Sequence, residues 1–544
     1  MYIFQTRSFW KLMGVSQAKI RKQFNYFFGS NEKVIDDRRK ALEILNNVLF
    51  TAQNNMLKRI KKESTYGLLL KLYYIFDEVH SIYLSEKEAR TYLVKENIDD
   101  SDIVDSFVVN RNIERDIIDA CNIWIENCIL HQHDLDIKSL DVKKEFTFDD
   151  DLIIDLYLYG FASRGISLLN LSTKIGENNS FYGLEIKTDE DIPAEILKYH
   201  PVIYFNTSIV GNQNSLTNIP LTKDANSTDF GIGFEKEYNV GFLQFLAAIK
   251  CFHDDQLRGD DKALTIITKE RFIELVEQYT IPPISGDDFY AGFVLTKDKI
   301  KNHLRGGEDI IWKIGTNKYR HELRPFIALD DGNVLIAYGA LEQSKQLWVS
   351  YFSNGGMCYT NPAKADYLTK EMELKNKELS NVLVEKIREI LNNHYSATVD
   401  LKDVKYQRIF GEHSIDYGDY DVVFYSNESK ELFLIESKYF SDSLNSSGIV
   451  TDFKKMFEEN GYYEHCRKRC DLALSEPEKL KAFIEEQDQI AVHLLFISSK
   501  PIEMEFTDED GIVTMLPLSI FEKYLEGKLI NDEDDQVMRP VKYI

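Results

Sequence analysis

Near the C-terminal end of the chain lie two carboxylates and an ammonium: Asp421, Glu436 and Lys438. They belong to GDYDVVFYSNESKELFLIESK, residues 418–438, which reads as two apolar strands, DVVFY and ELFLIESK, around the polar turn Ser426-Asn427-Glu428-Ser429-Lys430. Strand residues alternate faces, so Glu436 and Lys438 point one way and Ser437 the other. A hairpin folded about the Glu428–Ser429 bond sets Asp421 directly across from Glu436. Their β-carbons would be about 5 Å apart, and like charges so placed repel unless something positive lies between them. A divalent cation and the Lys438 ammonium would supply that charge, and the chemistry such a trio supports is metal-assisted phosphodiester hydrolysis. The competing reading makes these residues the charged ends of ordinary surface strands. Against it, both strands are apolar on both faces (Val422, Val423, Phe424; Phe433, Leu434, Ile435), as central strands are, and charges there need partners.

Other residues of chemical type carry less. Lys454, Lys455, Arg467, Lys468 and Arg469 are the basic candidates for contact with nucleic-acid phosphates, although a solvated helix face explains them nearly as well. Cys466 and Cys470 share a helix face beside His465, and two thiols without a second pair do not make a zinc site. Cys121 and Cys128 lie two helical turns apart on a stripe with Ile117, Trp124 and Ile125, and read as small buried hydrophobes. His253, Asp254 and Asp255 end a helix with no partner at ligand spacing, and Arg320, His321, Glu322 and Arg324 read as a solvated strand edge. The Gly231-x-Gly233 pair lacks the strand and third glycine of a dinucleotide loop.

The elements that must hold the trio are a helix over LTKEMELKNKELSNVLVEKIREILNNHY with Leu379, Leu383, Ile387, Ile390 and Leu391 inward, a strand in SATVDLKDVKYQ, and the hairpin. A helical DFKKMFEENGYYEHCRKRCDLAL, a buried strand IAVHLLFISS and a last helix SIFEKYLEGK follow. In this order, with Gly418-Asp419-Tyr420-Asp421 ahead of Glu436-Ser437-Lys438, the last third of the chain resembles the PD-(D/E)XK nuclease superfamily. The resemblance implies a restriction-endonuclease-like α/β core (αβββαβ) and a Mg²⁺ or Mn²⁺ cofactor. It implies that Asp421, Glu436 and the main-chain carbonyl of Ser437 ligate the metal, and that Lys438 orients or helps deprotonate the attacking water and stabilises charge on the phosphate. It places a further supporting acid at Glu385, with Glu389 as the competing choice. No glutamine follows Lys438, in Tyr439-Phe440-Ser441, where some restriction-type members carry one, which leaves the subfamily open.

At 544 residues the chain has the length of several domains, and we expect a multidomain α/β protein. Residues 1–145 read as a mostly helical domain, including a helix start at Ser85-Glu86-Lys87-Glu88. Residues 146–370 read as a mixed α+β domain, with a sub-boundary near 281–287 at IPPISGDD, a strand HPVIYFN, a long polar stretch from 207 to 233, and a hairpin around Asp331-Gly332. Residues 371–544 form the nuclease-like domain. The net charge of −24 argues against a protein coated in positive field, yet leaves room for a local basic groove. Six cysteines make no disulfide framework, and no signal-peptide or membrane-spanning stretch is visible, so we expect a cytoplasmic protein away from membranes. The expected partner is nucleic acid, DNA before RNA, with a partner protein or homo-oligomer also open. The expected function is a DNA endonuclease, in the setting of a bacterial anti-phage defence or restriction system. The alternatives are an RNA nuclease and an inactive nuclease-fold scaffold.

Overall fold

The computed structural model describes residues 9–28, 34–35, 37–95, 101–131, 149–172, 184–185, 225–254, 264–303, 320–354, 367–440, 452, 455–457, 459–499, 506–508, 510–530 and 536–544. Among these the first third is helical: α1 (Phe9–Leu12), α2 (Gln17–Phe28), α3 (Arg38–Lys62), α4 (Thr65–Lys95), α5 (Ser101–Leu130) and α6 (Asp150–Ser172), with a small pairing of β1 (Val34–Ile35) and β2 (Leu184–Glu185). The Asp37 side chain caps α3 by accepting from the N–H groups of Arg39 and Lys40, and Ala41, Leu45, Val48, Ala52, Met56 and Ile60 form its buried stripe. In α6 the glycines mark close crossings: a β-carbon at Gly160 would lie 2.1 Å from the Asp116 carbonyl oxygen of α5. Beside that crossing, Arg164 of α6 grips Asp116 through two 2.8 Å hydrogen bonds. The expected helix start at Ser85 does not occur. The helix α4 runs through it, because a capping-type sequence is only a local signal and the buried stripe upstream continues the helix.

The middle of the chain contains α7 (Asp229–Tyr238), α8 (Phe242–Asp254), α9 (Lys269–Tyr279), α10 (Gly286–Phe293), α11 (Lys297–His303) and α12 (Tyr338–Asn354). Its sheet has the order β3 (Leu264–Thr268), β6 (Asn333–Ala337), β5 (Phe326–Ala328), β4 (Val294–Leu295). The hairpin around Asp331-Gly332 forms as expected, with Gly332 at φ 83°. Alternate residues of the sheet face two cores. Leu295, Ile327, Leu335 and Ala337 pack with the helical bundle, whereas Val294, Phe326, Val334 and Ile336 face an aromatic core of Phe230, Phe234, Phe245, Phe293 and Trp348. Residues on both sides of the expected 145/146 boundary therefore share one core. Across the expected sub-boundary near 281–287, Phe272 and Phe289 pack together, 6.0 Å between ring centroids. HPVIYFN and most of the polar stretch lie outside the described residues; the last part of that stretch, including Gly231 and Gly233, enters α7.

The cluster at 320–324 is also corrected. It is not a solvated edge: His321 is fully buried, with Nε2 2.9 Å from the Tyr73 hydroxyl, Nδ1 2.6 Å from Asn122 Oδ1, and its main-chain N–H donating to Glu126. Arg320 and Arg324 are buried as well. The polar residues are tolerated inside because α4 and α5 bring partners to them.

The helix α13 (Tyr367–His394) crosses the expected 370/371 boundary without a break. Leu368 belongs to the aromatic core, while Leu383, Val384, Ile387 and Leu391 cover one face of a second sheet. That sheet has the order β11 (Thr514–Pro517), β10 (Ala491–Ser498), β9 (Glu431–Lys438), β8 (Asp419–Ser426), β7 (Val399–Lys405), with β12 (Lys542–Tyr543) also pairing β10. Between β7 and β8 lies the short helix α14 (Tyr406–Phe410); α15 (Tyr462–Ser475) and α16 (Pro477–Phe483) connect the parallel strands β9 and β10; α17 (Phe521–Leu525) follows β11. The helices α13 and α17 cover one face of the sheet, with Val422, Phe424, Phe433 and Ile435. The helices α15 and α16 cover the other, with Val423, Tyr425, Leu432 and Leu434. Both strands of the hairpin are thus central, as their two-faced hydrophobicity requires.

Candidate active site

The β8–β9 hairpin turns through Asn427–Lys430 and pairs Ser426 with Glu431 through to Val422 with Ile435, the expected register. There the ladder stops. Beyond it β8 stays with β7, Tyr420 opposite Val404, while β9 stays with β10, Glu436 beside Phe496 and Lys438 beside Ser498. The two central strands thus part company, and the three charged residues sit at the fork. Asp421 spans the opening: its Oδ2 accepts from the Ser437 N–H at 2.6 Å and from the Ser437 hydroxyl at 3.1 Å.

Side chains at Glu436 and Lys438 leave the face covered by α15. Lys438 Nζ lies 2.5 Å from Glu436 Oε1 and 3.8 Å from Asp421 Oδ2. The other Glu436 oxygen, Oε2, accepts from Arg469 Nη2 of α15. Burial, and then the negative charge of Asp421, push the Glu436 carboxyl above the usual range against the pull of Lys438 and Arg469. Burial works against the Lys438 charge too, but Glu436 and Asp421 outweigh it and hold that ammonium above its ordinary value. Lys438 is therefore a fixed cation at neutral pH.

Two carboxylates of adjacent strands, one of them 21 % exposed, suit a hard cation that keeps several waters. Asp421 Oδ1 takes no hydrogen bond from the described residues, so one acceptor faces outward. These hard oxygen donors are of the type that Mg²⁺ or Mn²⁺ takes, although both Glu436 oxygens are already engaged by Lys438 and Arg469. Among the described residues no third His, Cys, Asp or Glu joins them.

The structure does not bring Glu385 to this place. Its exposed carboxylate pairs with Lys402 and Arg388, at 2.7 and 2.8 Å, on the α13 side of the sheet. Helix periodicity explains this, since Leu383, Val384 and Ile387 take the sheet-facing positions and turn Glu385 to the flank. Glu389 is exposed too, paired with Lys386 at 2.7 Å. For Ser437 the contact to the site is through the N–H and hydroxyl rather than the carbonyl.

The basic candidates separate. Arg467 is tied to Asp508, Asp510 and Asp471 at 2.7, 2.8 and 3.0 Å, and Lys468 pairs with Glu464 at 2.5 Å. Lys455 is exposed, and Lys454 lies outside the described residues. Arg469 is 5 % exposed and belongs to the carboxylate site instead of an open groove. The periodicity of α15 carries that signal: Cys466, Arg469, Cys470 and Ala473 repeat on the buried stripe. Cys466 and Cys470 pack there as small apolar groups, with their mutual hydrogen bond and then burial raising the Cys466 thiol well above its usual value.

Comparison of the chain with protein-family models, with curated proteins and with solved structures finds no match.

Proposed function

We propose that the C-terminal region is a divalent-metal-dependent phosphodiesterase of the PD-(D/E)XK type, acting on DNA. The observation that carries this reading is the convergence of Asp421, Glu436 and Lys438 at the fork of two central strands. The sheet order and the sandwiching helices are compatible with a restriction-endonuclease-like core. Bound between the carboxylates, Mg²⁺ would supply an activated water and a Lewis acid for a phosphate oxygen. Asp421, locked by Ser437, and Glu436, locked by Lys438 and Arg469, are the carboxylates that would hold it. The part of Lys438 is to orient or help deprotonate the attacking water and to neutralise charge developing on the phosphate.

The test is cleavage of duplex DNA, single-stranded DNA and RNA by the full chain in Mg²⁺, Mn²⁺ and chelator. Metal-dependent cleavage of DNA is the expected result; preference for RNA would reassign the substrate; no cleavage in any metal would remove the activity. One observation favours a second reading, a nuclease-fold scaffold: Glu436 already has both oxygens hydrogen-bonded to cations. Undetectable Mn²⁺ binding would select it. A role in bacterial defence is a fold-level analogy, tested by phage plating on cells carrying the wild-type or the Lys438→Ala protein. Among the described residues no helix is long and apolar enough to cross a membrane.

A further inference from the structure

Three consecutive cations on α15 part ways in space. Arg467 and Lys468 turn outward to acids of their own, whereas Arg469 turns inward between Cys466 and Cys470. Its guanidinium is held on several sides. Nη1 donates to the Tyr417 carbonyl at 2.9 Å, Nη2 donates to Glu436 Oε2, and the group lies 5.9 Å from the centre of the Tyr420 ring. The Tyr420 hydroxyl closes the arrangement by donating to the Arg469 carbonyl at 2.9 Å. The chain passes tightly overhead: Gly418 has φ 75°, and a β-carbon there would come within 3.0 Å of Arg469 Nη1. Such a seat fixes a cation against one oxygen of one carboxylate.

We propose that Arg469 is a positioning residue that fixes Glu436 and, together with Lys438, balances the site's charge so that it takes one divalent cation and not two. This inference rests on the metal-dependent reading above. Asp421 and Glu436 bring two negative charges; Lys438 and Arg469 bring two positive ones. A first divalent ion makes the cluster dipositive, and among the described residues no further carboxylate converges there to offset a second. Asp421 Oδ1 is the acceptor left outside these hydrogen bonds. Arg469 competes with any cation for Glu436 Oε2, so it sets the affinity as well as the number. If Arg469 served only to dock α15 on the hairpin, losing it would loosen Glu436 and weaken metal binding.

The experiment is a Mn²⁺ titration of the full chain, followed by electron paramagnetic resonance and calorimetry, on wild type, Asp421→Asn, Arg469→Gln and Arg469→Lys. The wild type should bind one Mn²⁺ through this site, and Asp421→Asn should lose it. Arg469→Gln should bind Mn²⁺ about tenfold more tightly, because a positive charge a few ångströms from the ion is gone. Arg469→Lys, which keeps the charge and loses the fork, should stay within about threefold of wild type. Folding of each variant is followed by circular dichroism. Two ions bound at the site, or folded Arg469→Gln protein binding no more tightly than wild type, overturns the inference and leaves the activity standing. No Mn²⁺ bound by wild type overturns both. Should Arg469→Gln fail to fold, the wild-type stoichiometry and the Arg469→Lys affinity decide the matter.

Discussion

Asp421, Glu436 and Lys438 were legible because their identities violate the apolar pattern of two strands that otherwise belong in a core, and a buried charge must find a partner. Arg469 was legible only as a basic residue; its burial between Cys466 and Cys470 shows in the helical stripe, and its attachment to Glu436 is a tertiary fact. Glu385 failed for the complementary reason. A helix next to a sheet has several flanking positions, and spacing alone does not say which looks toward a given strand end. Asp119 in α5 offers a test at this scale. Burial and then Glu322 raise its carboxyl, with Asp116 adding and Arg115 and Arg320 opposing, to about 7. The folded chain holds that proton more tightly than the unfolded one. The stability it contributes is therefore full below about pH 4 and is lost as pH rises through about 7. Asp119→Asn should flatten that fall and raise stability at pH 8 by about 1–2 kcal/mol, a partly exposed site justifying the discount. Urea unfolding between pH 4 and 8 measures it, and a variant with the same pH slope as wild type would contradict the assignment.

At the scale of elements, long periodic helices and the two hairpins could be read directly, because register follows from turn length and helices from the 3.6-residue stripe. Boundaries could not. The Ser85-Glu86 pattern resembles a helix start but lies within α4, and IPPISGDD resembles a linker while aromatic rings on either side of it touch. The 320–324 cluster looked solvated because its partners, Tyr73, Asn122 and Glu126, are some 200 residues away along the chain. The α5–α6 crossing gives an elemental prediction. Gly160→Val forces a side chain against the Asp116 carbonyl and should cost about 3 kcal/mol, read as a lower urea midpoint in a folded variant. An unchanged midpoint would mean the helices part without strain.

At the scale of the whole molecule, the three expected domains are joined more closely than composition suggests. The β3–β6 sheet lends one face to the helical bundle and the other to the aromatic core, and α13 runs from that core onto the second sheet. A fragment of residues 146–370 would uncover Leu295, Ile327, Leu335 and Ala337 on the bundle side. It should aggregate or fail to unfold cooperatively, whereas the full chain stays monodisperse; a soluble fragment with a sharp thermal transition would contradict the shared core. The helix α13 thus ties the aromatic core to the sheet that carries Asp421, Glu436 and Lys438. The central claim remains that Asp421, Glu436 and Lys438 form a working metal-dependent phosphodiesterase. Its most direct test is the initial rate of duplex DNA cleavage in Mg²⁺ by wild-type and Lys438→Ala protein, each shown folded by circular dichroism. The account predicts chelator-sensitive cleavage by wild type and a loss of about a hundredfold or more in the variant; equal rates in the two proteins would contradict it.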